Sequence, residues 1–259
     1  MLNWINSLNK NIISIIIPTY NRPQFLSKAL NTLIKCERSD KFDVIIVEDG
    51  STEFSSASNQ KLISEVAGKF FNLQYIRLSE NSGTVSIPRN IGISYAIGRT
   101  LAHVDDDCIS KIKKYTMVDN LWAKESNLLV YGDREEYGLN GNTFEYLKTV
   151  NCSQFAIHKK AVGIDNGQFL YKADAYKYIQ PSFAINACDW ELYSSFADFG
   201  DFEYVEMPVC KYLWHSGNIS KIPKPLRVKP LDVLANFMQY FNDGEFKDAC
   251  KSVLNLKSN

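Results

Sequence analysis

Residues 12–21 read IISIIIPTYN, and the fold follows from how this run is read. Ile12–Ile17 is a β-prone stretch stopped by Pro18, which cannot donate to a sheet ladder. It does not alternate apolar with polar, so it reads as a strand covered on both faces, as in a parallel sheet flanked by helices. Working outward, the pattern repeats. Pro23 opens a helical run with Phe25, Leu26, Leu30, Leu33 and Ile34. Val44–Val47 is a second apolar strand, closed by Gly50-Ser51-Thr52. Leu62, Ile63, Val66 and Phe70 mark a helix, and Leu73–Leu78 a third strand. The turn Asn81-Ser82-Gly83 leads into a helix carrying Ile91, Tyr95 and Ala96. Leu101–Val104 is a fourth strand, ending at Asp105-Asp106-Asp107. Strands alternating with helices predict an α/β fold with a mostly parallel, right-handed sheet.

After Ile109 the rhythm changes. A helix (Tyr115–Ala123) and a strand (Leu128–Tyr131) precede a Gly-, Asn- and Tyr-rich region, Gly132–Gly167, in which no period is evident. Asp189–Phe199 reads as a helix, and Phe202–Pro208 and Val209–Trp214 as two strands. Lys221–Pro230, with Pro223, Pro225 and Pro230 among basic residues, reads as a linker. Leu231–Tyr240 and Glu245–Leu256 form an appendage of two amphipathic helices. These either pack back on the domain or mediate a homodimer through Leu234, Phe237, Met238 and Phe241. There is no internal repeat.

The chain has 259 residues, enough for one large or two small domains. Twenty-nine basic residues cancel 29 acidic ones, which argues against a general nucleic-acid binder. No apolar run approaches the roughly 20 residues of a membrane span, and the first residues do not read as a secretory signal. The six cysteines are scattered without a CxxC pair, so neither a zinc ribbon nor a dithiol redox site is signalled. They read as reduced thiols of a cytoplasmic protein, with Cys152, Cys188 and Cys210 as buried apolar residues.

Ligands of open parallel sheets bind outside the carboxyl ends of the strands. Four polar clusters fall there: Thr19-Tyr20-Asn21, Glu48-Asp49-Gly50-Ser51, Ser79–Gly83 and Asp105-Asp106-Asp107. Three adjacent carboxylates repel one another unless solvated or bound to a cation. Oxygen ligands at a strand end suit Mg²⁺ or Mn²⁺ shared with substrate phosphates. The blander reading is a solvated acidic turn. A phosphoryl hydrolase with a nucleophilic Asp is disfavoured by Cys108 and Ile109, which follow the triplet. Neither G-x-G-x-x-G nor G-x-x-x-x-G-K-[ST] occurs. A nucleotide is then held another way: Tyr20 can stack on a base, Asp49 can accept from a base N–H, and Arg89 can pair with a phosphate.

Ser14–Asn21 (SIIIPTYN), Val47–Thr52 (VEDGST), Asn81–Gly92 (NSGTVSIPRNIG) and Leu101–Asp107 (LAHVDDD), in this order, resemble glycosyltransferase family 2. Cys188–Leu192 (CDWEL) looks like its acidic catalytic motif, and Lys211–Ser220 (KYLWHSGNIS) like the strand end that closes its active site. The resemblance covers about residues 11–220. It implies an inverting enzyme with the A-type nucleotide-diphospho-sugar transferase fold: a nucleotide-sugar half (about 11–108), an acceptor half (109–220), then the 221–259 linker and helices. It further implies that Pro18, Thr19 and Tyr20 line the nucleobase pocket, that Asp49 binds the base, and that Glu48 stands where the family often has Asp. Arg89 and Asn90 are placed near the donor diphosphate or sugar. Asp105 and Asp107 form a D-x-D element, with Asp107 the metal ligand and Asp105 on ribose or sugar; Asp106 can share either role. Asp189 is the expected base, and His215 lies near the metal or diphosphate. Cys188 departs from the pattern, since an acidic residue commonly precedes the base.

These residue types suit the chemistry. A sugar hydroxyl needs a carboxylate to take its proton as it attacks, and a divalent cation neutralises the departing nucleoside diphosphate. Asp189 also reads as a helix N-cap, His215 as a strand histidine and Tyr20 as a packed aromatic. The expected activity is metal-dependent transfer of a sugar from a UDP-sugar to a hydroxyl of a saccharide or lipid-linked glycan, with Mn²⁺ or Mg²⁺ as cofactor. The alternatives are a nucleotidyltransferase and a non-catalytic sugar-nucleotide or glycan-binding subunit. Acceptor choice is placed near Gly163–Tyr171 and in the region before Asp189. The basic segment with Lys221, Lys224, Arg227 and Lys229 reads either as a solvated linker or as a peripheral contact to an anionic leaflet.

Overall fold

The computed structural model describes residues 2–150, 164–178, 189–216, 218, 228–242 and 244–258. The opening run forms β1 (Asn9–Thr19), buried from Ile12 onward. It pairs in parallel with β2 (Phe42–Glu48) and, on its other edge, with β4 (Gly98–His103); β2 pairs in parallel with β3 (Asn72–Arg77). Side chains alternate across the sheet and feed two cores. Ile16, Ile45 and Val47 meet Ile87 and Ile91 of α4 (Ser86–Ser94) on one face. Ile15, Ile17, Val44 and Ile46 meet Leu26, Leu30 and Leu33 of α2 (Pro23–Leu33) on the other. Pro23 sits in the first turn of α2, where a missing N–H costs nothing. Thr52 caps α3 (Glu53–Val66) by accepting from the Ser55 N–H.

The described strands form one sheet in the order β3-β2-β1-β4-β8-β6-β9-β5, with β7 on the free edge of β6. Its remaining members are β5 (Cys108–Ser110), β6 (Asn127–Asn140), β7 (Thr143–Val150), β8 (Phe169–Lys172) and β9 (Asp201–Trp214). The expected parallel order holds from β3 to β4. Beyond β4 the sheet is mixed: β8 runs antiparallel to β4 and β6, β5 runs antiparallel to β9, and β6 pairs with β9 in parallel.

Three sequence expectations change here. The two strands on either side of Pro208 are one strand, because the β6–β9 register shifts on both sides of the Asp133–Pro208 pair. A bulge of this kind accommodates a residue without an N–H. The Gly-, Asn- and Tyr-rich region begins as a long β6–β7 hairpin. Every residue of β7 is exposed or half-exposed, so it carries no apolar alternation to read. Phe169, Leu170 and Tyr171, the end of the stretch Gly163–Tyr171 placed near the acceptor by sequence, are fully buried in β8 between β4 and β6.

The two C-terminal helices, α7 (Pro230–Phe237) and α8 (Gly244–Ser258), pack back on the domain. Leu234, Phe237, Phe241, Phe246 and Cys250 share a core with Trp4, Ile87 and Ile91. Leu234, Phe237 and Phe241 are therefore consumed within the chain, and Met238 packs against the same core, so these residues do not form an apolar dimer face. The Tyr240 hydroxyl accepts from the Ser79 N–H at 2.8 Å, which braces the loop after β3. Lys221, Lys224 and Arg227 of the basic segment lie outside the described residues, and Lys229 precedes α7. Among the described residues no helix is long and apolar enough to cross a membrane.

Candidate active site

The carboxyl ends of β1, β2, β3 and β4 meet on one rim because these strands are parallel. At its centre Asp106 and Asp107 are both buried. Asp106 accepts from Thr19 Oγ1 at 2.9 Å. Arg22 Nη1 lies 3.4 Å from Asp106 and 3.3 Å from Asp107. His215 Nε2 is 2.9 Å from Asp107 Oδ2, and Asn218 Nδ2 donates to the same oxygen at 3.4 Å. Asn218 Oδ1 also accepts from the His215 N–H at 2.6 Å. Phe25 of α2 stacks on the His215 ring at 5.0 Å. Asp105 is paired with Arg89, which α4 carries into the sheet with only 3% of its surface exposed.

Burial, followed by the charge of Asp107, pushes the Asp106 carboxyl up to about 7. Asp107 is also raised, first by burial and then by Asp105, against the opposing pull of His215 and Arg22.

Asp49, at the end of β2, takes a different role from a carboxylate waiting in open solvent. It accepts from the Ser82 N–H at 2.9 Å, Ser82 Oγ at 3.0 Å and Asn81 Nδ2 at 3.1 Å. It thereby clamps the loop after β3 onto the rim. Gly50 beside it has φ +65, and a Cβ there would meet the Glu80 carbonyl carbon at 2.1 Å, so only glycine lets the two loops approach. Burial pushes the Asp49 carboxyl up to about 6, opposed by the Ser82 hydrogen bonds. Between about pH 4 and 6 the folded chain then holds a proton here that the unfolded chain has lost. This group's contribution to stability accordingly falls as pH rises through that window, by roughly 1–3 kcal/mol, and levels off above it. Thermal melts of wild type and Asp49→Asn across pH 4–8 check this. The wild type should lose stability relative to the variant between pH 4 and 6; a constant difference would contradict the shift.

Other expected site residues separate into two groups. Tyr20 is 45% exposed at the rim. Thr19 is brought onto the triplet, and Pro18 lies buried in β1 beside Val47. Glu48 is turned into the fold instead, where the Tyr75 hydroxyl donates to it at 2.8 Å and Arg77 Nε lies 3.5 Å away. Asn90 is fully buried in α4. Asp189 opens α6 (Asp189–Ser194), but its side chain lies outside the described ones, as do Cys152 and Cys188. Cys210 is buried, as expected.

Sequence reasoning did not single out Arg22, Phe25 or Asn218 for the site, and read Ser82 only as part of the rim cluster Ser79–Gly83. Arg22 and Phe25 follow the first rim cluster directly, and Asn218 lies three residues after His215, so proximity to these motifs was the available signal. Asn21, with φ +55, ties the first two rim loops together: its N–H donates to Ser51 Oγ and its Oδ1 accepts from the Thr52 N–H.

Among the described residues no three His, Cys, Asp or Glu side chains gather tightly enough to hold a metal ion by themselves. The donor set still fits a cation completed by a ligand. Asp107 Oδ2 and His215 Nε2 are 2.9 Å apart, about the spacing of neighbouring octahedral ligands at Mg²⁺-like bond lengths near 2.1 Å. The raised carboxyls are what such a cation would relieve.

Comparison with known proteins agrees with this architecture. A sequence model for Glycosyl transferase family 2 matches residues 14–194. Over 107 residues the chain is 33% identical to the poly(ribitol-phosphate) beta-N-acetylglucosaminyltransferase TarS of Staphylococcus aureus, covering 41% of this chain and 18% of that protein. Over 96 residues it is 32% identical to the poly(ribitol-phosphate) beta-glucosyltransferase of Bacillus spizizenii, covering 37% of this chain and 14% of that one. The chain thus spans less than a fifth of these relatives. The crystal structure of S. aureus TarS 1–349 with UDP-GlcNAc superposes with TM-score 0.65 at 19% identity, covering 94% of this chain and 72% of that one. The mannosyltransferase PcManGT of Pyrobaculum calidifontis, with GDP-Man and Mn²⁺, superposes with TM-score 0.59 at 14% identity, covering 96% and 70%. With the family match extending over well over half of its length, from the opening strand through α6, this chain is a glycosyltransferase of family 2 with an A-type fold.

Proposed function

We propose that the chain transfers a sugar from a UDP-sugar to a hydroxyl of a saccharide or lipid-linked glycan, in one displacement that inverts the anomeric carbon. The observation carrying this reading is the convergence of Asp106, Asp107, Arg22 and His215 on one rim beside the exposed Tyr20. The fold neighbour that holds UDP-GlcNAc and the relatives named for GlcNAc and glucosyl transfer support a UDP-sugar donor.

In this reading Tyr20 stacks on the base, and Asp49 fixes the loop that closes over it. Arg89 and Asp105 orient the ribose and sugar, and Thr19 keeps Asp106 aligned. Asp107 and His215 would hold Mn²⁺ or Mg²⁺, which when bound neutralises charge on the leaving diphosphate. Arg22 adds positive charge at the same point. Asp189 takes the proton of the acceptor hydroxyl as its oxygen attacks the anomeric carbon. The bond to the diphosphate oxygen breaks, and UDP leaves with the electron pair.

The test is a panel of nucleotide sugars with Mn²⁺ and with chelator, following melting temperature and product. UDP-sugars with metal should raise the melting temperature, by roughly 2.7 kcal/mol of stabilisation at 100 times Kd, and UDP should be released on turnover. Pyrophosphate as product would replace this reading with nucleotidyl transfer. Binding without turnover against a broad acceptor panel would favour a non-catalytic subunit.

A further inference from the structure

The loop after β3, which in the transferase reading closes over the base, is held from two sides. On the sheet side Asp49 grips Ser82 and Asn81, and Gly50 lets the two loops approach. On the outer side the C-terminal part of the chain holds it. The Leu78 N–H prolongs the β2–β3 pairing by donating to the Glu48 carbonyl at 2.8 Å. Ser79 follows at the sheet edge formed by β3, and its N–H finds the Tyr240 hydroxyl at 2.8 Å instead of a strand. At the far end of the loop, a Cβ on Gly83 would meet Val228 Cγ2 at 2.7 Å, so the chain entering α7 passes directly over it.

The two sides of this contact differ in stability. Phe237 and Phe241, flanking Tyr240, are buried in one core with Ile87 and Ile91 of α4. The Asn242 N–H donates to Ser94 Oγ at the end of α4, at 3.1 Å. In the loop, by contrast, Ser79, Glu80, Asn81 and Gly83 are all exposed. An exposed loop with few apolar contacts lies at the low end of local stability, so each contact that fixes it shifts its closed population.

We propose that the C-terminal helices set the donor affinity of the site, with Tyr240 and Val228 as positioning residues that hold the loop of residues 79–83 closed. The proposal rests on the transferase reading for the ligand. It deepens that reading by placing part of the donor site's control after residue 194, where the family match ends. Tyr240 and Val228 act through the loop rather than on the nucleotide. A contact that favours the closed loop raises affinity for a ligand of that state, and by reciprocity the ligand strengthens the contact.

The test measures UDP binding to the full chain with Mn²⁺, together with hydrogen exchange. Tyr240→Phe removes the hydroxyl and keeps the ring beside Phe237. It should weaken UDP binding by about three- to tenfold, the range set by losing one hydrogen bond. The donor KM for UDP-sugar hydrolysis should rise by the same factor, with kcat within about twofold. Val228→Ala, which shortens an exposed side chain, should shift affinity in the same direction. Ser94→Ala is the control: it loosens the same helices away from the loop, and should lower the melting temperature while leaving UDP affinity within about twofold. In wild type, UDP should slow amide exchange at residues 79–83 and, through the same linkage, at residues 237–242. Unchanged UDP affinity in both Tyr240→Phe and Val228→Ala, an equal loss in Ser94→Ala, or exchange at residues 237–242 indifferent to UDP would each overturn the brace. A wild type that binds no UDP fails the transferase reading and the brace with it, whereas a wild type that binds UDP and gives any of those three results fails the brace alone.

Discussion

Asp107→Asn is expected to lower sugar transfer by at least about 10²–10³-fold and to remove the metal dependence of UDP binding. Asp107 is where Arg22, His215 and Asn218 converge, so its charge is the one the whole rim is arranged around. Asparagine keeps the shape and one acceptor oxygen but removes that charge. A folding defect predicts a different pattern. Because burial already raises the Asp107 carboxyl above its ordinary range, losing the charge should leave the melting temperature unchanged or higher at neutral pH. The checks are kcat/KM against Mn²⁺ concentration, UDP affinity with and without metal, and a thermal melt. Transfer and metal dependence like wild type would remove Asp107 from the site.

Asp189→Asn should reduce kcat by about 10²–10⁴-fold while leaving UDP affinity within about twofold. The substitution is chosen because Asp189 opens α6 and reads equally as a helix cap. Asparagine caps about as well as aspartate, so stability should hold if capping is its only role. The variant therefore separates the two readings: lost turnover with an unchanged melt identifies a base, and unchanged turnover identifies a cap. A base should also give wild-type kcat an acidic limb in its pH profile, absent from the variant's residual rate.

The legibility of this chain divides near residue 110. β1, β2 and β4 were readable because both their faces are buried, and burial on both faces leaves an uninterrupted apolar run. The rim clusters were readable because they end those runs. The β6–β7 hairpin was not, because its outer strand faces solvent throughout and carries no pattern. Pro208 was read as a strand break, because the bulge that tolerates it depends on a partner strand. At the site, Asp105, Asp106, Asp107 and His215 were found from their place in motifs. Glu48, which the resemblance set at a position where the family often has Asp, faces Tyr75 and Arg77 inside the fold.

By itself the sequence determined the family, the strand–helix alternation of the first half and the rim on which the acidic triplet sits. These are local properties, set by period and by where apolar runs stop. Tertiary structure alone decided which groups answer the charge on Asp107. Its partners Arg22, His215 and Asn218 lie 85, 108 and 111 residues away along the chain. They meet because β1 neighbours β4, while β9, which leads to His215, pairs with β5 just after the triplet. Strand order places groups by pairing across the sheet, and pairing between distant segments leaves no mark on the spacing of either one.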